Sequence, residues 1–169
     1  MPTSGALKYL LPLIIVLSLT GCFRSEAPLL DAANAKFPFV SMTLRNEDGQ
    51  ISVVKRDGDS YRFIEDGKPD AAALMMQELG PDLYLVQVAS PTHSSEYLFA
   101  RKQDGDLIVR SDCKGLDPDM LRGKGIEIQE TGTSIYECNF KTLQSLVDLG
   151  TSPGIWANST TTLKIVSIE

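Results

Sequence analysis

The chain has one histidine, His93, followed directly by Ser94 and Ser95. A serine nucleophile needs a base held by a third group and an exposed, strained turn. His93 could be such a base, yet no Gly-x-Ser-x-Gly surrounds either serine. A polar connection between strands is the better reading. Two Asp-Gly-Asp triplets, Asp57-Gly58-Asp59 and Asp104-Gly105-Asp106, carry the oxygen ligands that calcium takes. They lack the spaced ligands and terminal Glu of an EF-hand loop, and turn chemistry accounts for them. Two carboxylates could also serve glycoside hydrolysis, but nothing in the acidic pattern singles out a pair. The three cysteines, Cys22, Cys113 and Cys138, form no Cys-x-x-Cys motif, and a zinc site needs three or four ligands where His93 is the only imidazole. These residues nominate no catalytic set, no metal and no cofactor, and the expectation is a non-enzyme.

The elements that place Cys22 say more. Residues 1–21 hold one charged side chain, Lys8, and then an apolar run from Tyr9 to Leu19. That run is about 11 residues, against roughly 20 for a bilayer-spanning helix, and Pro12 interrupts it. A short positive region before a short apolar one is the pattern of a secretory signal peptide. Leu19-Thr20-Gly21-Cys22 resembles the bacterial lipobox, an aliphatic residue and two small residues before the cysteine that is lipidated. The resemblance implies a diacylglyceryl thioether on Cys22, cleavage before it and acylation of the new amine. Each buried methylene contributes roughly 0.8 kcal/mol, so several chains on one residue hold a protein on a membrane durably. Phe23 stands where an Asp would resemble an inner-membrane retention signal, which favours the periplasmic face of the outer membrane.

Export converts the other two cysteines into an even pair in an oxidising compartment. A Cys113–Cys138 disulfide is predicted, contributing about 3.5 kcal/mol by the chain-entropy argument. The whole chain carries 16 Lys+Arg against 22 Asp+Glu, a net charge of −6. The signal segment removes a positive charge and no negative one, so the remainder is more acidic still. That balance argues against nucleic acid as a partner and against electrostatic attraction to anionic lipid. The lipid on Cys22 is the expected membrane attachment.

The organisation expected from this reading is a signal peptide over 1–21, a lipidated N-terminus and tether over 22–36, and a single β-rich domain over 37–169. In that domain short apolar runs alternate with Asp48-Gly49, Asp57-Gly58, Asp66-Gly67 and Asp104-Gly105. Such dipeptides between β-rich runs signal hairpins. Strands are predicted at Val40–Leu44, Ile51–Lys55, Tyr61–Ile64, Leu83–Ala89, Tyr97–Arg101, Leu107–Arg110, Gly125–Gln129, Ile135–Cys138 and Thr161–Ile168. Asp70–Leu79 fits neither helical nor strand periodicity cleanly and is assigned to strand because its neighbours are strands. Asp117-Pro118 opens a short helical turn to Arg122, and a helix is predicted over Phe140–Leu149 with Asn139 as cap and Gly150 as stop. The fold class is mainly β (α+β), an antiparallel meander forming a roll or open barrel with one C-terminal helix.

Trp156, the only tryptophan, either closes the end of the barrel or presents a binding surface. Asn158-Ser159-Thr160 matches a glycosylation acceptor pattern. Gly58-Asp59-Ser60-Tyr61 is similar to part of the Ser-Gly-x-x-Tyr pattern of small β-barrel lipoproteins that inhibit c-type lysozyme. Here Asp57 replaces the Ser, and the later Tyr…Thr-Lys-Gly segment is absent. The expected role is a non-catalytic envelope lipoprotein that binds another envelope protein or cell-wall component. A cell-wall glycan hydrolase, a lysozyme-inhibitor-like protein and a ligand carrier are the alternatives.

Overall fold

A computed structural model describes residues 23–89, 94–131, 134–157 and 160–169. Its strands are β1 (Phe23–Ser25), β2 (Ser41–Arg45), β3 (Ile51–Asp57), β4 (Ser60–Glu65), β5 (Lys68–Gly80), β6 (Leu83–Ala89), β7 (Ser95–Gln103), β8 (Asp106–Arg110), β9 (Glu127–Thr131), β10 (Ser134–Asn139) and β11 (Thr161–Ile168). Helix α1 (Pro118–Gly123) precedes β9, and α2 (Leu143–Gly150) follows β10.

Eight antiparallel strands, β2 to β8 and β11, close into a barrel, because β11 pairs with β8 on one side and β2 on the other. The mainly β prediction holds, with a closed barrel where a roll or open barrel was expected. Closure removes exposed sheet edges. The Asp-Gly dipeptides act as turns. Asp66 and Gly67 have φ of 49° and 75°, and Asp104 and Gly105 have 53° and 83°. Both central residues at positive φ is the type I′ geometry that matches strand twist.

β7 is where the barrel branches. Along one edge its first residues pair with β1, Phe23 opposite Tyr97, and its later residues pair with β8, Phe99 opposite Arg110. Along the other edge it pairs with β6. β1 continues in parallel to β10, and β10 pairs antiparallel with β9. A small side sheet therefore grows from the barrel wall.

Two cores result. The inner one fills the barrel with Met42, Leu44, Val54, Leu74, Val86 and Leu98. The outer one lies between the wall, through Leu85, Tyr97 and Phe99, and the covering elements, through Phe140, Leu146 and Ile155. β6, β7 and the middle of β5 are thus covered on both faces. Leu74 and Met76 point into the barrel while Met75 and Leu79 face the outer core. That double burial explains why Asp70–Leu79 shows no clean period, and the stretch is strand, as assigned. α2 comes so close that a Cβ at Gly150 would lie 2.5 Å from the Phe99 ring.

Two expectations are corrected. The segment expected to be a tether over 22–36 is, from Phe23 onward, part of the domain: Phe23 is fully buried and Leu30 nearly so. The apolar Phe23 and Leu30 fill the outer core, and a solvated linker would leave that volume empty. The second helix begins at Leu143, capped by the Thr142 side chain on the Ser145 N–H, where Phe140 and an Asn139 cap were expected. Phe140 is claimed by the side sheet, its N–H bonded to the Arg24 carbonyl at 2.7 Å and its ring edge-on to Phe23. Trp156, expected at a barrel end or on a binding surface, packs on a 3₁₀ turn, Pro153–Trp156, against the outer core. The Arg101 guanidinium lies 4.7 Å from its ring centre.

Candidate functional site: the clamped N-terminal strand and the barrel interior

Cys22, His93, Asn158 and Ser159 lie outside the described residues. Cys113 and Cys138 come together as a disulfide, with Cα atoms 6.3 Å apart. The bond ties the end of β8 to β10, and Cys138 is the register partner of Phe23. Next to it Arg110 is fully buried. Its Nε donates to the Asp112 carbonyl at 2.7 Å and its Nη2 to the Lys114 carbonyl at 2.5 Å. Burial pushes its pKa below the ordinary arginine value, against the opposing pull of Asp112. Arg110 therefore shapes the loop that presents Cys113.

The predicted acidic turns are structural. Asp57 pairs with Arg62 at 2.9 Å, and Asp106 with Lys164 at 3.1 Å. Among the described residues no group of three or more His, Cys, Asp or Glu could hold a metal ion. Ser95 is buried in β7 opposite Ser25. Tyr61, from the lysozyme-inhibitor-like stretch, is fully buried, and its hydroxyl donates to the Phe39 carbonyl at 2.7 Å. It stacks on Phe39 at 4.6 Å and helps that segment fill one end of the barrel. Its place is in the core.

Two features emerge that the sequence pattern did not single out. The first is the clamp on residues 25–30. The Gln87 side chain, on the outer face of β6, accepts the N–H groups of Leu29 and Leu30 at 2.9 Å each and donates to the Leu30 carbonyl at 3.1 Å. The Tyr97 hydroxyl lies 2.7 Å from Ser25 Oγ, accepts the Leu29 N–H at 3.0 Å and donates to Gln87 at 3.1 Å. A buried amide that meets a neighbouring chain this completely fixes the chain's position. Arg24 adds ion pairs to Glu137 at 3.2 Å and Glu96 at 3.6 Å. The only signal was Gln87 itself, one polar residue in the apolar run Leu83–Val88 of a strand covered on both faces.

The second feature is a cavity of about 80 Å³ inside the barrel. Its walls are apolar except for Asn46 and Ser52. Those two, with Phe63 and Leu163, are the lining residues that keep some exposure, and Asn46 and Ser52 flank the β2–β3 turn. The mouth is therefore at that turn. An empty volume of this size costs about 2 kcal/mol relative to a filled core. A strand's period of two allowed a filled barrel or a hollow one equally.

Charged side chains such as Arg45, Lys55 and Arg62 lie outside the barrel wall, and Met42, Leu44 and Leu98 lie within. That polarity is the reverse of a membrane-spanning barrel, whose outer face is apolar. Among the described residues no helix is long and apolar enough to cross a membrane. Outside the barrel two open grooves of about 530 and 570 Å³ run along β9 and β10 and share Glu127, Gln129 and Asn139. Two of their carboxylates are engaged: Glu137 accepts from Gln129 and Asn139, and Glu127 pairs with Lys141.

No family model, curated protein or solved structure matches the chain.

Proposed function

We propose that this chain is a lipid-anchored lipoprotein of the bacterial envelope, held flush against the membrane and acting by binding an envelope partner without catalysis. One observation carries the reading. Phe23 is fully buried and paired on both sides, to Tyr97 and to Cys138. Successive Cα atoms are about 3.8 Å apart, so the proposed lipid site at Cys22 is one residue from the packed domain. A lipid there leaves no free tether, and the side sheet would sit at the head groups. The acidic balance of the chain is consistent with attachment through lipid rather than through charge.

The partner would be an envelope protein or cell-wall component. Phe23 after the cysteine favours the outer membrane. Growth with a clickable palmitate analogue tests the anchor. Wild type is expected labelled and in the membrane fraction, and Cys22→Ala unlabelled and released with its fold intact. Unlabelled wild type in the soluble fraction would remove the reading. Turnover of cell-wall glycan by the purified protein would remove its non-catalytic half.

A further inference from the structure

We infer that the barrel interior is a binding site for a short unbranched alkyl chain whose polar end rests at Asn46 and Ser52. The cavity has apolar walls and a polar rim on one side only. At the opposite end Phe39 and Tyr61 stack on each other and close the wall. A ligand would therefore enter tail first at the β2–β3 turn and leave its polar group in water.

Size sets the ligand class. An apolar cavity of about 150 Å³ stays dry and takes a benzene ring. One of about 80 Å³ has room for roughly half as many carbons, three or four methylenes in a row. Met42 and Met76 line it, and their unbranched thioether chains re-pack readily, so slightly longer tails are admissible. Ala100 also lines it, at a strand position where a larger β-branched residue would favour the sheet and fill the space. The retained small side chain keeps the volume open. Where α2 meets the outer core, by contrast, a Cβ at Gly150 would already clash with Phe99.

The two cores supply an internal control. Met42 and Met76 face the cavity, while Met75 and Met120 pack against the outer core. Purified protein labelled with ¹³C at the methionine methyls would be titrated with butan-1-ol, hexan-1-ol and, as a polar control, butane-1,4-diol. The two monofunctional alcohols are expected to shift Met42 and Met76 saturably and to leave Met75 and Met120 in place. Ala100→Leu, which fills the cavity, is expected to weaken the response at least tenfold while the outer methionines keep their native positions. Equal shifts at all four methionines, an unsaturating response, or no response in wild type would each overturn the inference, whether or not Ala100→Leu folds.

Discussion

The inner and outer cores of this protein are built on opposite principles. The inner core is apolar apart from a polar rim at Asn46 and Ser52 and leaves a void of about 80 Å³. The outer core mixes large aromatics with a buried disulfide, a buried arginine and a Gln87–Tyr97–Ser25 network, and helix α2 presses onto it without slack. A barrel wall needs only alternation, and it tolerates a gap at its axis. The outer core must hold pieces far apart in sequence, residues 23–30, Cys113 and Phe140 among them. It uses directional bonds and a covalent link to do so. The outer core thus fixes residues 23–30 in place, and the inner core keeps a space.

The sharpest test of the contrast is truncation on either side of one wall. Phe99 is fully buried, edge-to-face with Phe23 at 5.3 Å. Phe99→Ala should cost about 4 kcal/mol in denaturant unfolding. Met76→Ala, on a wall that already borders a void, should cost nearer 2 kcal/mol, the low end for such truncations. Equal costs would erase the distinction between the cores. Next, replacing Cys113 and Cys138 together by serine should lower stability by about 3.5 kcal/mol by the chain-entropy argument. Thermal unfolding with and without reductant gives the same comparison in the native chain.

A smaller effect is expected from the clamp. Gln87→Leu keeps the side chain's bulk but strands the Leu30 N–H and carbonyl, while Tyr97 still accepts the Leu29 N–H. It should cost about 2 kcal/mol, the range for buried donors left unsatisfied. It should also raise amide exchange in residues 25–30 while leaving β2 to β4 unchanged. The smallest effect is a pH slope. Burial raises the Glu96 carboxyl above the ordinary glutamate pKa, with Arg24 opposing the shift. The folded state then holds this proton more tightly than the unfolded state. Its contribution to stability is present at low pH and is lost as pH rises from the ordinary glutamate range through the raised value. Glu96→Gln should flatten the stability profile in that window, and an unchanged slope would assign it to another group.

Much of the barrel was legible in the sequence, because Asp-Gly turns and alternating residues act locally. Leu83–Ala89 and Thr161–Ile168 fall where the pattern places them, and Asp117 caps α1 as its Asp-Pro pair suggests. The side sheet was not legible. Its β1 is three residues long and is held by partners seventy or more positions away, so no local period announces it. Polar and small residues around Pro28 look like a linker until Gln87 supplies the bonds they need. Closure of the barrel and its cavity depend on stagger and side-chain volume summed over many strands, which a linear pattern does not encode. The disulfide was legible because it needs only two cysteines left over after one is set aside.

Residues 23–30 belong to the folded domain rather than to a linker. Hydrogen–deuterium exchange of these amides in the purified protein tests that directly. Protection of Leu29 and Leu30 comparable to that of β6, with that of Leu30 lost in Gln87→Leu, is the predicted result. Exchange at the rate of an unstructured peptide over Phe23–Leu30 would contradict it.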